Sequence, residues 1–137
     1  MIFFLKIEGE PVPKGRPRFT RQGRAYTPAK TANYEKDGKL LAKMKWSRQP
    51  LIDRPIACEV SARLPIPQSW TKKKKEAAKS GELRHTSRPD LDNYMKIALD
   101  ILNETVITDD SIIVSLSGEK KYSEEPCLVI KLLEVSP

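Results

Sequence analysis

Residues 88–116 read RPDLDNYMKIALDILNETVITDDSIIVSL, and their periodicity decides the fold class. Apolar residues fall at Leu91, Tyr94, Met95, Ala98, Leu99 and Leu102, the spacing of one buried helical face. Pro89 and Asp90 open that helix, where a missing N–H costs nothing and a carboxylate meets open amides. Thr108-Asp109-Asp110-Ser111 ends the pattern. From Ile112 to Lys121 the period changes to two, with Ile112, Val114 and Leu116 on one side of a strand. A helix running straight into a strand predicts a mixed α and β chain.

Working outward, Cys127–Val135 reads as a last strand, paired with the preceding one as a hairpin around Ser123-Glu124-Glu125-Pro126. Upstream, Phe3–Glu8 reads as a first strand. Glu10–Pro28 holds Pro11, Pro13, Pro17 and Pro28 with Gly15 and Gly23. Prolines lack donors and bias their predecessors to extended geometry, so this segment is an arm, with a short hairpin at Gln22-Gly23. Pro28–Trp46 is predicted as a helix, with Thr27 as cap, Pro28 in the first position, and Leu40, Leu41 and Met44 as its apolar stripe. Gly38 should weaken it by about 1 kcal/mol relative to alanine. Ile56–Leu64 reads as a strand. Ser69 caps a second helix that runs to Ser80 and stops at Gly81. The expectation is an α+β fold, one compact domain over residues 1–137, with a small mixed sheet and about three helices.

The chain has 137 residues, enough for a core without disulfides or a structural metal. No apolar run approaches the roughly 20 residues that span a bilayer. Met1-Ile2-Phe3-Phe4-Leu5-Lys6 is too short for a signal h-region and reads as strand. Cys58 and Cys127 sit among apolar neighbours and are expected as buried free thiols in a reducing cytoplasm. Two cysteines and one histidine, His85, fit none of the close-spaced zinc patterns, so any metal should be hard and oxygen-ligated.

The net charge is +7, which favours an anionic partner. No basic amphipathic helix with bulky apolar anchors is evident, so nucleic acid is expected rather than membrane. Pro11–Tyr34 contains no acidic residue but holds Lys14, Arg16, Arg18, Arg21, Arg24 and Lys30. A proline-stiffened run of positive charge suits a phosphate backbone, and contacts of that kind position nucleic acid without reading its sequence. Lys72–Lys75 project all round a helix and cannot share one ligand.

Against this basic background the carboxylates stand out. Asp92, Lys96, Asp100 and Asn103 recur at steps of four, four and three, a polar stripe beside the apolar face. Asp90 alone reads as a helix cap. Asp92 adds a second negative charge two residues on, only partly offset by Lys96. If Asp110 converges on Asp90 and Asp92, three carboxylates surround one point. Which end of the helix the strand start meets is not fixed by spacing. Such a cluster repels itself when empty and suits a divalent cation, and for Mg²⁺, which keeps several waters, two or three carboxylates suffice. A neighbouring lysine can hold a scissile phosphate.

These residues match a known family. Gly9–Arg18, Tyr26-Thr27-Pro28, His85, Arg88-Pro89-Asp90-Leu91-Asp92-Asn93 with Lys96, Asp109-Asp110, and Lys120-Lys121-Tyr122 resemble the RusA family of Holliday junction resolvases. The resemblance runs through most of the chain. It implies Mg²⁺-dependent cleavage of four-way DNA junctions (Mn²⁺ substituting) by a homodimer, by paired symmetric nicks, with no organic cofactor and no membrane. It places the acidic triad on Asp90, Asp92 and Asp110 and the active-site lysine on Lys96. It selects Asp110 over Asp109, and it suggests phosphate contacts at Arg88 and Lys120. His85 is open between a structural role, a phosphate contact and an acid–base role. The competing readings are a non-catalytic nucleic-acid-binding protein and a nuclease for flap or other branched DNA.

Overall fold

The computed structural model describes residues 1–15, 18–26 and 28–136, with the side chains of Arg18, Phe19 and Tyr26 excepted. Its fold is α+β, as the periodicities predict. Strand β1 (Phe3–Glu8) is followed by a two-stranded ribbon, β2 (Arg18–Phe19) and β3 (Ala25–Tyr26). Then come α1 (Ala29–Trp46), β4 (Ile56–Pro65), α2 (Lys72–Ser80) and α3 (Leu91–Leu102). A single 3-10 turn (Asp110–Ile112) leads into β5 (Ile113–Ser123), and β6 (Cys127–Leu133) ends the sheet. Among the described residues, no helix is long and apolar enough to cross a membrane.

The main sheet has the order β1-β6-β4-β5. β4 runs antiparallel to β6 and parallel to β5. The expected hairpin between the last two strands is therefore absent: β4 lies between them. The reason is in the residues. Cys127, Leu128, Val129 and Ile130 are all buried, as befits a strand with neighbours on both sides. β5 carries Ser115, Ser117, Gly118 and Glu119, all exposed, and takes the edge. The chain can pass from Ser123 to Cys127 across β4 because β4 stops at Pro65, level with Ser123. The ribbon around Gln22-Gly23 forms as expected. Gly23 has φ 81°, which glycine adopts without strain, and the Thr20 N–H donates to the Arg24 carbonyl at 2.9 Å.

Alternate residues of β1, β4 and β6 (Leu5, Val60 and Ile130 among them) bury one face of the sheet beneath α1 and α3. α3 contributes Tyr94, Ile97, Ala98, Ile101 and Leu102, so its buried stripe is centred on Ile97 and Ile101, with Leu91, Met95 and Leu99 on its margin. α1 departs further from expectation. Leu40, Leu41 and Met44 are exposed, and the buried residues are Thr31, Gly38, Ala42 and Trp46. α1 lies close enough to α3 that a Cβ on Gly38 would stand 2.6 Å from the Ile101 Cδ1. Small residues permit that approach, so the helix turns its large apolar side chains outward.

The helix starts are also displaced. Pro28 is the α1 cap residue rather than its first helical residue, and Thr27 lies outside the described residues. α2 is capped by Thr71, whose Oγ1 accepts the Lys74 N–H at 3.3 Å, not by Ser69. The Trp70 N–H donates to the Pro67 carbonyl, so Ser69 belongs to a turn. Gly81 closes α2 in the left-handed region at φ 82°.

Candidate active site and nucleic-acid face

α3 and β5 lie against each other in opposite directions. A Cβ on Gly118 would stand 2.7 Å from the Met95 Sδ. Two residues further along β5, the Lys120 Nζ donates to the carbonyls of Ser87 (2.5 Å) and Pro89 (2.9 Å), just before α3 begins. Thus the α3 N-terminus faces the far end of β5, and its C-terminus faces the start.

Asp90 occupies the cap position of α3 with extended backbone (φ −71°, ψ 148°), yet its side chain makes no capping hydrogen bond. Asp92 is exposed in the first turn, and Lys96 is exposed one turn on. By helical periodicity Asp92 and Lys96 point away from the buried Tyr94, Ala98 and Ile101. Among the described residues, none of these three side chains has a hydrogen-bond or ion-pair partner. Two carboxylates thus stand free beside amides that favour negative charge, with a free ammonium on the same stripe.

Asp110 stands elsewhere. From Ile113 to Lys120 the extended chain covers about 23 Å at 3.3 Å per residue, so Asp110 and Asp90 sit at opposite ends of α3. Among the described residues, no group of three His, Cys, Asp or Glu side chains is placed to hold a metal ion. The two aspartates at the start of the β5 segment also differ. Asp109 accepts the Ser111 N–H at 3.0 Å, and its hydrogen bonds to Ser111 hold its carboxyl below the usual range. The Asp110 carboxylate has no hydrogen-bond partner among the described residues, although the residue's backbone carbonyl accepts the Ile113 N–H.

The basic residues sort into tied and free. Lys14 Nζ lies 2.8 Å from Glu35 Oε1 of α1 and 2.9 Å from Asp100 Oδ2 of α3. Its N–H donates to the Asn93 carbonyl at 2.9 Å. Burial lowers the Lys14 pKa, but the hydrogen bonds and charges of Glu35 and Asp100 outweigh it, and the net shift is upward. Thr31 Oγ1 donates to the Pro13 carbonyl at 3.2 Å and accepts the Gly15 N–H at 3.3 Å. The base of the arm is therefore pinned to α1 and α3 beside Asn93. Lys120 is likewise engaged, on the loop that carries Arg88 and Asp90. Arg88, Arg21 and Arg24 are exposed. Arg16 and the Arg18 side chain lie outside the described residues.

His85 packs on Tyr122 with ring centroids 4.7 Å apart, and Tyr122 meets Trp70 edge-on at 5.1 Å. Burial first and the Lys120 charge second lower the His85 pKa. Cys58 and Cys127 are buried free thiols, and burial pushes the Cys58 thiol up to about 12. The sequence reading missed Glu35 and the open β5 edge, where Val114 is 64% and Leu116 40% exposed. Ser115 and Ser117, which alternate with them, and Gly118 just beyond were the signal for the edge. Nothing local in the sequence links Glu35 to Lys14.

Comparison with known proteins gives two findings. The family described as endodeoxyribonuclease RusA matches residues 8–133. A Bacillus subtilis (strain 168) protein described as uncharacterized protein YqaN is 41% identical over 135 residues, covering 95% of this chain and 94% of that one.

Proposed function

We infer the reaction from one premise, that this chain belongs to the endodeoxyribonuclease RusA family. Membership supports a junction-resolving endodeoxyribonuclease. The finer reading is a Mg²⁺-dependent homodimer that makes paired nicks in four-way DNA junctions during recombination and repair. The observation that carries it is the pair Asp90 and Asp92, uncapped and unpaired among the described residues at the α3 N-terminus, with Lys96 on the same stripe.

Two carboxylates fit Mg²⁺, which keeps several waters and takes its remaining ligands from phosphate oxygens. Asp90 and Asp92 would hold the ion, and when bound it would supply a Lewis acid for the scissile phosphate. The chain's own contribution is charge placement. Lys96 sits one turn from Asp92, where a cation stabilises the negative charge that grows on the phosphate oxygens. Lys120 fixes the Ser87–Pro89 loop and so sets the position of Asp90. Arg88, Arg21 and Arg24 remain free to meet phosphates on the DNA arms.

The third carboxylate of the triad, Asp110, would come from a second copy. β5 is an open edge with exposed Val114 and Leu116 at mid-strand, a template for pairing. A two-fold axis at Ser115 would set Val114 opposite the partner's Leu116, and Leu116 opposite the partner's Val114, a self-complementary contact. The same register would bring the 3-10 turn that carries the partner's Asp110 to the Lys120 end of β5, toward Asp90 and Asp92. One dimer then carries two sites, as paired nicks require.

The test is cleavage of a synthetic four-way junction with Mg²⁺, beside three-way, flap and linear DNA. The wild type should cut the junction in preference, and Asp92→Asn should bind it without cutting. Full cleavage by Asp92→Asn would overturn the site, and preference for flap DNA would overturn the substrate.

A further inference from the structure

The outward face of α1 has no role in the site described above, and its chemistry is distinctive. Lys36 and Lys43 are exposed and lie opposite the buried Gly38 and Ala42. They are about 10 Å apart along the helix axis. With Lys39 and Leu40 they line an open groove of about 450 Å³, whose wall also holds Lys14, Glu35 and one exposed acid, Asp37, against the row of lysines. Because α1 and α3 pack side by side on one face of the sheet, their outward faces form one surface. Lys96 points outward from the same surface.

A row of surface lysines is usually a solvated helix face, so a second feature has to distinguish this one. Two carboxylates, Glu35 and Asp100, lie between the α1 row and α3, and one ammonium bridges both. Lys39 is also fixed, its Nζ donating to the Asn103 carbonyl at 2.7 Å across the same seam. Negative charge that would repel a polyanion crossing from Lys96 to α1 is thereby partly offset where it would cross.

We propose that this face of α1 is a binding track for one arm of the DNA, with Lys36 and Lys43 contacting its phosphates. Lys14 acts there by offsetting part of the charge of Glu35 and Asp100 rather than by touching a phosphate. The track deepens the junction-nuclease reading and rests on it for the identity of the polyanion. It revises the role of Lys14, which the sequence alone groups with the free cations of the arm. An acidic, apolar protein segment would also find lysines here beside the exposed Leu40 and Met44. DNA is favoured because the lysines continue the surface that carries Lys96.

The experiment measures equilibrium binding of a four-way junction and a plain duplex to Asp92→Asn protein over a range of salt. Adding Lys36→Ala/Lys43→Ala should weaken both DNAs about tenfold or more and reduce the log–log salt slope by about 1.8, two phosphate contacts' worth. Adding Lys14→Met should weaken binding too, and a further Glu35→Gln/Asp100→Asn should restore it. An unchanged slope in the double lysine variant would overturn the track. It would overturn it in favour of a protein ligand if Leu40→Ser/Met44→Ser then lost affinity for an acidic amphipathic probe peptide. Failure of the rescue, with Lys14→Met costing one contact's worth of slope, would make Lys14 a direct contact and overturn its charge-offsetting role. These readouts involve no cleavage. A wild type that fails to cut junctions would defeat the reaction while leaving the binding result standing.

Discussion

Mixing two inactive variants tests whether the site is shared between subunits. Asp92→Asn removes a carboxylate at the α3 N-terminus, and Asp110→Asn removes the one at the start of β5. In one chain these positions lie at opposite ends of α3, about 20 Å apart by strand length. Each variant alone should form a dimer in which both sites are defective. If a site combines Asp90 and Asp92 of one subunit with the partner's Asp110, a heterodimer of the two variants has one site with both defects and one with none. Random exchange at equal concentration makes about half the dimers mixed, so about one quarter of all sites should be intact. Mg²⁺-dependent junction nicking should return to about that fraction of wild type. The product should be a single nick rather than a paired cut, because each active dimer holds one working site. The assay is a supercoiled plasmid bearing an extruded cruciform, on which one nick gives open circles and a paired cut gives linear DNA. If each site lay within one chain, every mixed dimer would carry one lesion in each site. Absence of recovered nicking, with subunit exchange confirmed by mass, would refute the shared site.

Three further outcomes follow from helix packing, capping and burial. Gly38→Ala should gain about 1 kcal/mol of helix propensity but force its Cβ to 2.6 Å from the buried Ile101 Cδ1. Overpacking of that kind costs roughly 1–3 kcal/mol, so urea denaturation should show a net loss, reduced by adding Ile101→Val; a stabilised Gly38→Ala would contradict the close helix approach. Asp90→Ala should cost less than about 0.5 kcal/mol, against roughly 1 for a true cap, because the carboxylate bonds no helix amide. Mg²⁺ should raise the melting temperature of the wild type and not of that variant. His85 has its pKa lowered from the ordinary 6.5 by burial and then by Lys120, so the unfolded chain binds its proton more readily. Its contribution is intact above about pH 6.5 and is lost as pH falls below that toward the folded pKa. Replacement by Gln should flatten the acid side of a stability–pH profile; an unchanged slope would show that other groups set it.

What could be read from the sequence divides along physical lines. α3 and its outward stripe were legible because helical periodicity is local: Asp92 and Lys96 share a face whatever the helix packs against. The ribbon at Gly23 was legible because its turn residue is in the chain itself. Strand pairing was not, since three residues between β5 and β6 suit a hairpin and a crossing over β4 equally well. Burial of every residue from Cys127 to Ile130 decides it, and burial depends on the neighbours. α1 misled because large apolar residues attract the eye. Its true buried face is Thr31, Gly38 and Ala42, small enough for close approach to α3, with Trp46 at the C-terminal end against Phe3. Lys14 was identified as positive and functional, but its two carboxylate partners come from two helices that only the fold brings together.

The placement of Asp110 bears on why two aspartates can stand so close in a folded chain. A preformed cluster of three carboxylates without metal would repel itself at short range, and the chain would bear that cost from the moment it folds. Here each subunit carries only two, Asp90 and Asp92, near amides whose partial positive charge offsets part of the repulsion. The third sits about 20 Å away at the other end of α3, where it disturbs nothing. Bringing it in requires pairing of the β5 edges, so Val114 and Leu116 would be covered in the same step that completes the site. On the proposed pairing, a monomer has an exposed strand edge but no complete metal site, and should not nick DNA alone. Coupling the complete site to the proposed two-fold axis would also fix the number of sites at two and their separation at one value, which is the geometry that paired cuts across a symmetric junction demand.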